Sequence, residues 1–158
     1  MKIEGHYLFH LPIHVVYYAL QDEALIRQAM PGRVQFAMTS PTRYEIAVEL
    51  DMPRFGGHYS GALEVVETEP PFFYRLYAFG YGMNREMEAG GIVELRDLAP
   101  DETELYYFGE TDAFDHLNRL FQMAAAPVAP QLINRALHHL ETVIHQRNAA
   151  ASERPQQV

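Results

Sequence analysis

The sequence predicts an α+β fold in which a curved seven-stranded antiparallel sheet wraps around a long C-terminal helix, with two short helices after the first strand. Three features predict it. Residues 2–10 alternate apolar and polar side chains, the period of a half-buried strand. Between Val34 and Thr111 six further apolar runs are separated by short turn signals, and links that short make neighbouring strands antiparallel. From Phe114 to Gln146 the apolar residues Phe114, Leu117, Phe121, Ala124, Val128, Leu132, Ala136, Leu140 and Val143 recur in steps of three and four, which places one apolar stripe on a helix.

In the first strand Ile3, Tyr7 and Phe9 share one side, and Lys2, Glu4, His6 and His10 the other. Pro12 opens a short amphipathic helix at Ile13–Leu20, and Asp22 caps a second at Glu23–Met30, which Pro31-Gly32 stops. The six runs are Val34–Met38, Tyr44–Leu50, Tyr59–Glu67, Phe72–Tyr81, Met87–Arg96 and Leu105–Thr111. The turns between them fall at Ser40-Pro41, Arg54–Gly57, Glu69–Pro71, Asn84 and Ala99–Asp101. A proline inside a helix costs about 3 kcal/mol, so Pro127 and Pro130 predict a kink or two helices in the C-terminal segment. Residues 147–158 are small, polar and aperiodic, and read as a mobile polar tail behind a single domain of residues 1–146.

Composition narrows the function classes. A chain of 158 residues without a composition break builds one core. Its 12 Lys+Arg against 21 Asp+Glu leave a net charge of -9 with no basic run, which argues against nucleic acid and an anionic membrane surface as partners. Without cysteine there is no disulfide, thiolate metal site or thiol nucleophile, and a cytoplasmic location is the expectation. No apolar stretch approaches the ~18 residues of a membrane span, and the N-terminus lacks the basic and apolar regions of a signal peptide.

Several blocks carry a family resemblance: Met1-Lys2-Ile3-Glu4-Gly5, Pro12 with Val16-Tyr17-Tyr18-Ala19-Leu20, Asp22 nine residues ahead of Pro31-Gly32, and Met52-Pro53-Arg54-Phe55-Gly56-Gly57 leading to Tyr59-Ser60-Gly61. In these, over about residues 1–95, the chain resembles the carbon monoxide dehydrogenase G-subunit family, within the START-like, polyketide-cyclase-like (SRPBCC) helix-grip superfamily. The family usually has Trp where Tyr17 stands, and the approach to the long helix, Phe108–Phe121, departs from its small-residue pattern. The resemblance implies a cavity under the long helix for a hydrophobic small molecule such as a lipid or quinone. In some relatives it implies an assembly or recruitment role for a molybdenum oxidoreductase. It brings no shared catalytic set and no cofactor.

The residues themselves suggest where such a cavity would lie. If Ile3, Tyr7 and Phe9 face the helix, alternation turns Val48, Tyr59, Leu63, Tyr74, Leu76, Val93 and Tyr107 inward, and Tyr17, Phe121 and Val128 join them from the helices. The alternative for each is an ordinary packed core. Glycines at 61, 80, 82, 90 and 91 either remove side chains from a cavity wall or mark bulges. Phe73, Tyr77, Phe79 and Tyr81 alternate with the inward set, so a four-aromatic stripe falls on the opposite face. A homodimer or a partner protein would bury it, unless a bulge reverses the register or the N-terminal helices cover it. His138, Glu141 and His145 share one helix face, but their spacing and the lack of an outside ligand read as a solvated polar face rather than a metal site. Asp112 reads as the cap of the long helix with Asp115 in its first turn, and alternation places Arg75 outward. No catalytic residue is singled out. The leading expectation is a non-enzymatic binding or carrier module; the alternatives are a cyclase or hydrolase acting on an aromatic or polyketide substrate, and an assembly factor working through the aromatic face.

Overall fold

The computed structural model describes residues 1–30, 33–51 and 56–153. Among these residues seven strands form one sheet: β1 (Lys2–Phe9), β2 (Val34–Ser40), β3 (Arg43–Leu50), β4 (Gly57–Glu69), β5 (Phe73–Gly82), β6 (Arg85–Ala99) and β7 (Glu102–Thr111). Their order is β1-β7-β6-β5-β4-β3-β2 and every neighbouring pair is antiparallel, so β2 to β7 form a meander and β1 closes onto its last strand. The alternation in β1 is realised: Ile3, Tyr7 and Phe9 turn inward while Lys2, Glu4 and His6 are exposed. The β5–β6 turn is made at Met83 and Asn84, with φ of 53° and 59°, the left-handed pair that matches the twist of a two-residue hairpin.

The helices α1 (Ile13–Ala19) and α2 (Glu23–Ala29) follow β1. The Asp22 carboxylate accepts from the amides of Ala24 and Leu25 at 3.0 and 3.2 Å, which starts α2 where the sequence placed its cap. The α2 stop signal, Pro31-Gly32, lies outside the described residues, as does most of the Met52–Gly57 turn.

The C-terminal segment is two helices, one of the two outcomes its prolines predict, and the first begins at Arg119 rather than Phe114: α3 (Arg119–Ala125) and α4 (Val128–Ser152). The prolines explain the break and its low cost. Pro127 is the N-cap of α4 and Pro130 lies in its first turn, where backbone amides have no intrahelical acceptor to lose. Asp112 does not cap a helix, because its carboxylate accepts from the Glu88 amide at 2.7 Å; Asn118 caps α3, accepting from the Phe121 amide at 3.1 Å. At the other end α4 passes Gln146 and continues to Ser152, so residues 147–152 are helical rather than tail, while residues 154–158 lie outside the described residues.

The face that α4 turns inward carries Leu137, Leu140 and Ile144, all buried, with Ile133 and Val143 packed against the core, so Leu140 and Val143 of the expected stripe are joined there by Ile133, Leu137 and Ile144. α4 packs on α2 and β1, and α1 packs on β6 and β7. The core between them joins Phe9, Leu11, Val16, Tyr17, Leu95 and Leu105 to the α4 face. Thr103 is fully buried within it, its hydroxyl donating to the Leu11 carbonyl at 2.8 Å.

Candidate functional site

The concave face of the sheet is crossed by rows of cross-strand partners. One row runs Ile3, Gly109, Gly91, Leu76, Val65; the next Thr111, Ala89, Ala78, Leu63, Tyr44; a third Met87, Gly80, Gly61, Ile46, Phe36. Glycine or alanine fills the middle of every row. The glycines are not bulges, since the register shifts lie elsewhere, at Met38/Ser40, Val65/Glu67 and Asp97/Ala99. They mark close backbone approach: a Cβ on Gly61 would stand 2.4 Å from the Phe79 carbonyl oxygen, and one on Gly91 2.6 Å from that of Phe108.

A floor this thin leaves space under the helices. Ile133, Ala136, Leu137 and Leu140 of α4 and Ile26, Ala29 and Met30 of the α2 segment roof a cavity of about 410 Å³ whose lining is almost entirely apolar. Its size falls in the range of small-molecule sites.

Few polar groups reach it, and most are already paired. The Tyr74 hydroxyl donates to the Tyr17 carbonyl at 2.5 Å and accepts from Gln21 Nε2 at 2.8 Å. The Tyr17 carbonyl is one of the last in α1 and lacks an intrahelical donor, so Tyr74 completes that helix end from the sheet. Burial pushes the Tyr74 phenol well above its ordinary value. The Tyr107 hydroxyl donates to Asn134 Oδ1 at 3.0 Å, and burial raises its pKa too. Tyr44 is stacked on Phe36, with ring centroids 4.9 Å apart.

Of the residues expected to line a cavity, Leu63, Tyr74, Leu76, Val93 and Tyr107 face this one. The others do not, each for a physical reason. Phe9 and Tyr17 point inward but are sealed in the protein core, with Tyr17 stacked on Tyr74 at 4.5 Å. Tyr7 bridges β1 to α4 instead: its hydroxyl meets His138 Nδ1 at 3.3 Å, its ring sits edge-on to Phe9, and burial with the nearby Glu141 charge pushes its pKa up to about 12. Val48 and Tyr59 are cross-strand partners one row beyond the cavity floor, where the Tyr59 ring lies over Gly82. Phe121 sits on α3, which packs against α4, and Val128 is the first residue of α4, ahead of the part that roofs the cavity. Tyr44 lines the cavity yet shares the parity of Ile46 and Val48, so extending that alternation by one step would have found it. Gln21 and Asn134 are legible only once the fold brings them to the tyrosines.

On the outer face alternation holds. Phe73, Tyr77, Phe79 and Tyr81 all point away from α4, the last three at 36%, 39% and 51% exposure. They are interleaved with charge. Arg43 pairs with Glu64 at 2.7 Å and lies over the Phe79 ring at 5.1 Å, and Arg75 pairs with Glu67 at 2.9 Å beside Phe73. A hydrogen bond to Glu88, more than burial, raises the Tyr77 phenol. Here the outer face carries a broad, open depression of about 760 Å³.

The polar face of α4 has structural work. His138 meets Tyr7, and Glu141 accepts from the His10 amide at 3.1 Å. Among the described residues no three His, Asp or Glu side chains converge as metal ligands, and no described helix is long and apolar enough to cross a membrane.

Comparison with known proteins follows the same lines. The sequence model of one family, described as the G subunit of carbon monoxide dehydrogenase (CoxG), matches residues 8–145. No curated protein matches the chain in sequence. Among solved structures, a conserved protein from Geobacillus kaustophilus superposes with a TM-score of 0.80 at 19% identity, over 92% of this chain and 96% of that one. A protein from Mycobacterium smegmatis gives 0.70 at 12% identity over 92% of each chain. A START superfamily protein from the same organism gives 0.61 at 12% identity, over 92% of this chain and 95% of that one. At these identities the likeness is one of fold, and the fold is helix-grip.

Proposed function

The chain belongs to the CoxG family, that of the carbon monoxide dehydrogenase G subunit, and from that premise we propose that it is a non-enzymatic carrier for a lipid- or quinone-like small molecule. The observation that carries this reading is the 410 Å³ apolar cavity between the sheet floor and α4. Its glycine and alanine floor withholds side chains from a place where a packed core would have them. The family description, a subunit of carbon monoxide dehydrogenase, supports an oxidoreductase of that kind as the partner; in the proposed role that partner is a molybdenum enzyme and receives or supplies the cargo.

Solvent extraction of the purified protein followed by mass spectrometry tests this. An apolar species in near-stoichiometric amount is expected, and its amount should fall sharply in Ala136→Phe, which projects a ring into the cavity from its roof. A protein that is clean by this measurement and takes up no apolar dye at micromolar concentration overturns the reading.

The exposure of Tyr77, Phe79 and Tyr81 favours a second, compatible role for the outer face as a partner or self-association surface. Sedimentation of the wild type and of Tyr81→Asp tests it, and a wild-type monomer that captures no oxidoreductase removes its support.

A further inference from the structure

We infer that Tyr44 is the polar anchor of the cavity: its hydroxyl donates a hydrogen bond to an uncharged acceptor oxygen, such as a ketone or ester carbonyl, on an otherwise apolar ligand. This rests on the carrier reading and adds to it the chemical class of the cargo. The hydroxyls of Tyr74 and Tyr107 already donate within the protein, to the Tyr17 carbonyl and to Asn134, and the Gln21 amide donates to Tyr74. Tyr44 is 4% exposed and its ring is fixed by the stack on Phe36, yet no described residue accepts from its hydroxyl. Among the described residues no fully sealed polar side-chain atom lacks a partner, so this hydroxyl still meets open space, and the cavity is the space Tyr44 lines. A buried donor in such a position lacks its hydrogen bond until something brings an oxygen to it.

Charge decides which oxygen. Among the described residues no Lys, Arg or His lines the cavity, so an ionised carboxylate or phosphate there would meet no counter-charge from them. The Glu23 carboxylate acts on Tyr44 from nearby, which further disfavours an anionic head and, after burial, helps keep the phenol protonated as a donor. Glu110 borders the cavity, but alternation along β7 puts its exposed side chain on the outer face.

Equilibrium dialysis of the full chain against naphthalene, 1-acetonaphthone and 1-naphthoate tests this, with wild type and Tyr44→Phe compared at neutral pH. The variant keeps the ring and its stack, and a thermal melt confirms that it folds. In the wild type the ketone should bind about 3- to 10-fold more tightly than the hydrocarbon, the span expected of one neutral hydrogen bond, and the carboxylate most weakly. In Tyr44→Phe the ketone preference should vanish while naphthalene affinity stays within about twofold. An undiminished ketone preference in the variant, or a carboxylate that outbinds the ketone, overturns the anchor and leaves the carrier reading standing. Failure of all three probes to bind overturns both.

Discussion

The hydroxyl oxygen of Tyr107 stands where a side chain on Gly5 would begin: a Cβ built on Gly5 lies 2.2 Å from it. The two residues are cross-strand partners on β1 and β7, and the phenol crosses over Gly5 to reach Asn134 on α4. Gly5→Ala must therefore push a buried ring aside and break its hydrogen bond. A loss of about 1–3 kcal/mol is expected, read as a lower urea midpoint with an unchanged denaturant slope. A neutral result would show that the ring finds another seat.

Tyr74→Phe keeps the stack on Tyr17 but strips the terminal carbonyl of α1 and the Gln21 amide of their shared partner. Leaving such groups unpaired costs about 1–3 kcal/mol. Urea denaturation of the variant checks this, and a loss below about 0.5 kcal/mol would mean that water replaces the hydroxyl.

High pH should unfold the protein through its tyrosines. Tyr7 ionises near pH 10 when unfolded but only at about 12 in the fold; burial raises Tyr44, Tyr59, Tyr74 and Tyr107 as well. Above the unfolded value the unfolded chain releases protons that the folded chain retains, so stability falls as pH rises. This contribution is intact below pH 10 and lost progressively towards 12. Urea midpoints across that window should decline, and Tyr7→Phe should make the decline shallower.

At the β5–β6 turn Asn84 tolerates a left-handed backbone and Met83 does so poorly. Asn84→Ala is expected to lose about 1 kcal/mol, and Met83→Gly to gain a fraction of that, because an L side chain pays about 1–2 kcal/mol in this region. Thermal melts of the two variants should move in opposite directions.

Pro130→Ala should change stability by less than about 1 kcal/mol despite lying in a helix, because the first turn needs no amide there. A larger stabilisation would show that the proline strains α4.

Much of this was written in the chain. Period-two alternation sorted β1 and β5 into an inner and an outer face, put Arg75 and the four aromatics outside, and turned Leu63, Tyr74, Leu76, Val93 and Tyr107 inward. Alternation, however, gives a side and not a depth. Phe9 and Tyr17 share the inner side with Leu76 but meet protein atoms rather than open space, and Val48 and Tyr59 share it one row too far along. Helix phase was less secure, because a proline pair can bend a helix or restart it. Here it restarts, and the roof keeps Ala136 and Leu140 of the expected stripe while adding Ile133 and Leu137, which that stripe omits. The polar partners Gln21 and Asn134 are 53 and 27 residues from their tyrosines, a separation that no local pattern encodes.

The middle of the sheet floor combines two kinds of position. At Gly61, Gly80 and Gly91 a neighbouring strand's backbone oxygen lies 2.4 to 2.6 Å from where any Cβ would stand, so the curl of the sheet depends on these three staying bare. Ala78 and Ala89, paired between them, already carry a methyl group on the same surface. The volume beneath α4 can thus be retuned at two sites, one carbon at a time, while the strands keep their register. Under the proposed carrier role, a descendant of this chain would trade one cargo for another without having to learn a new way to fold.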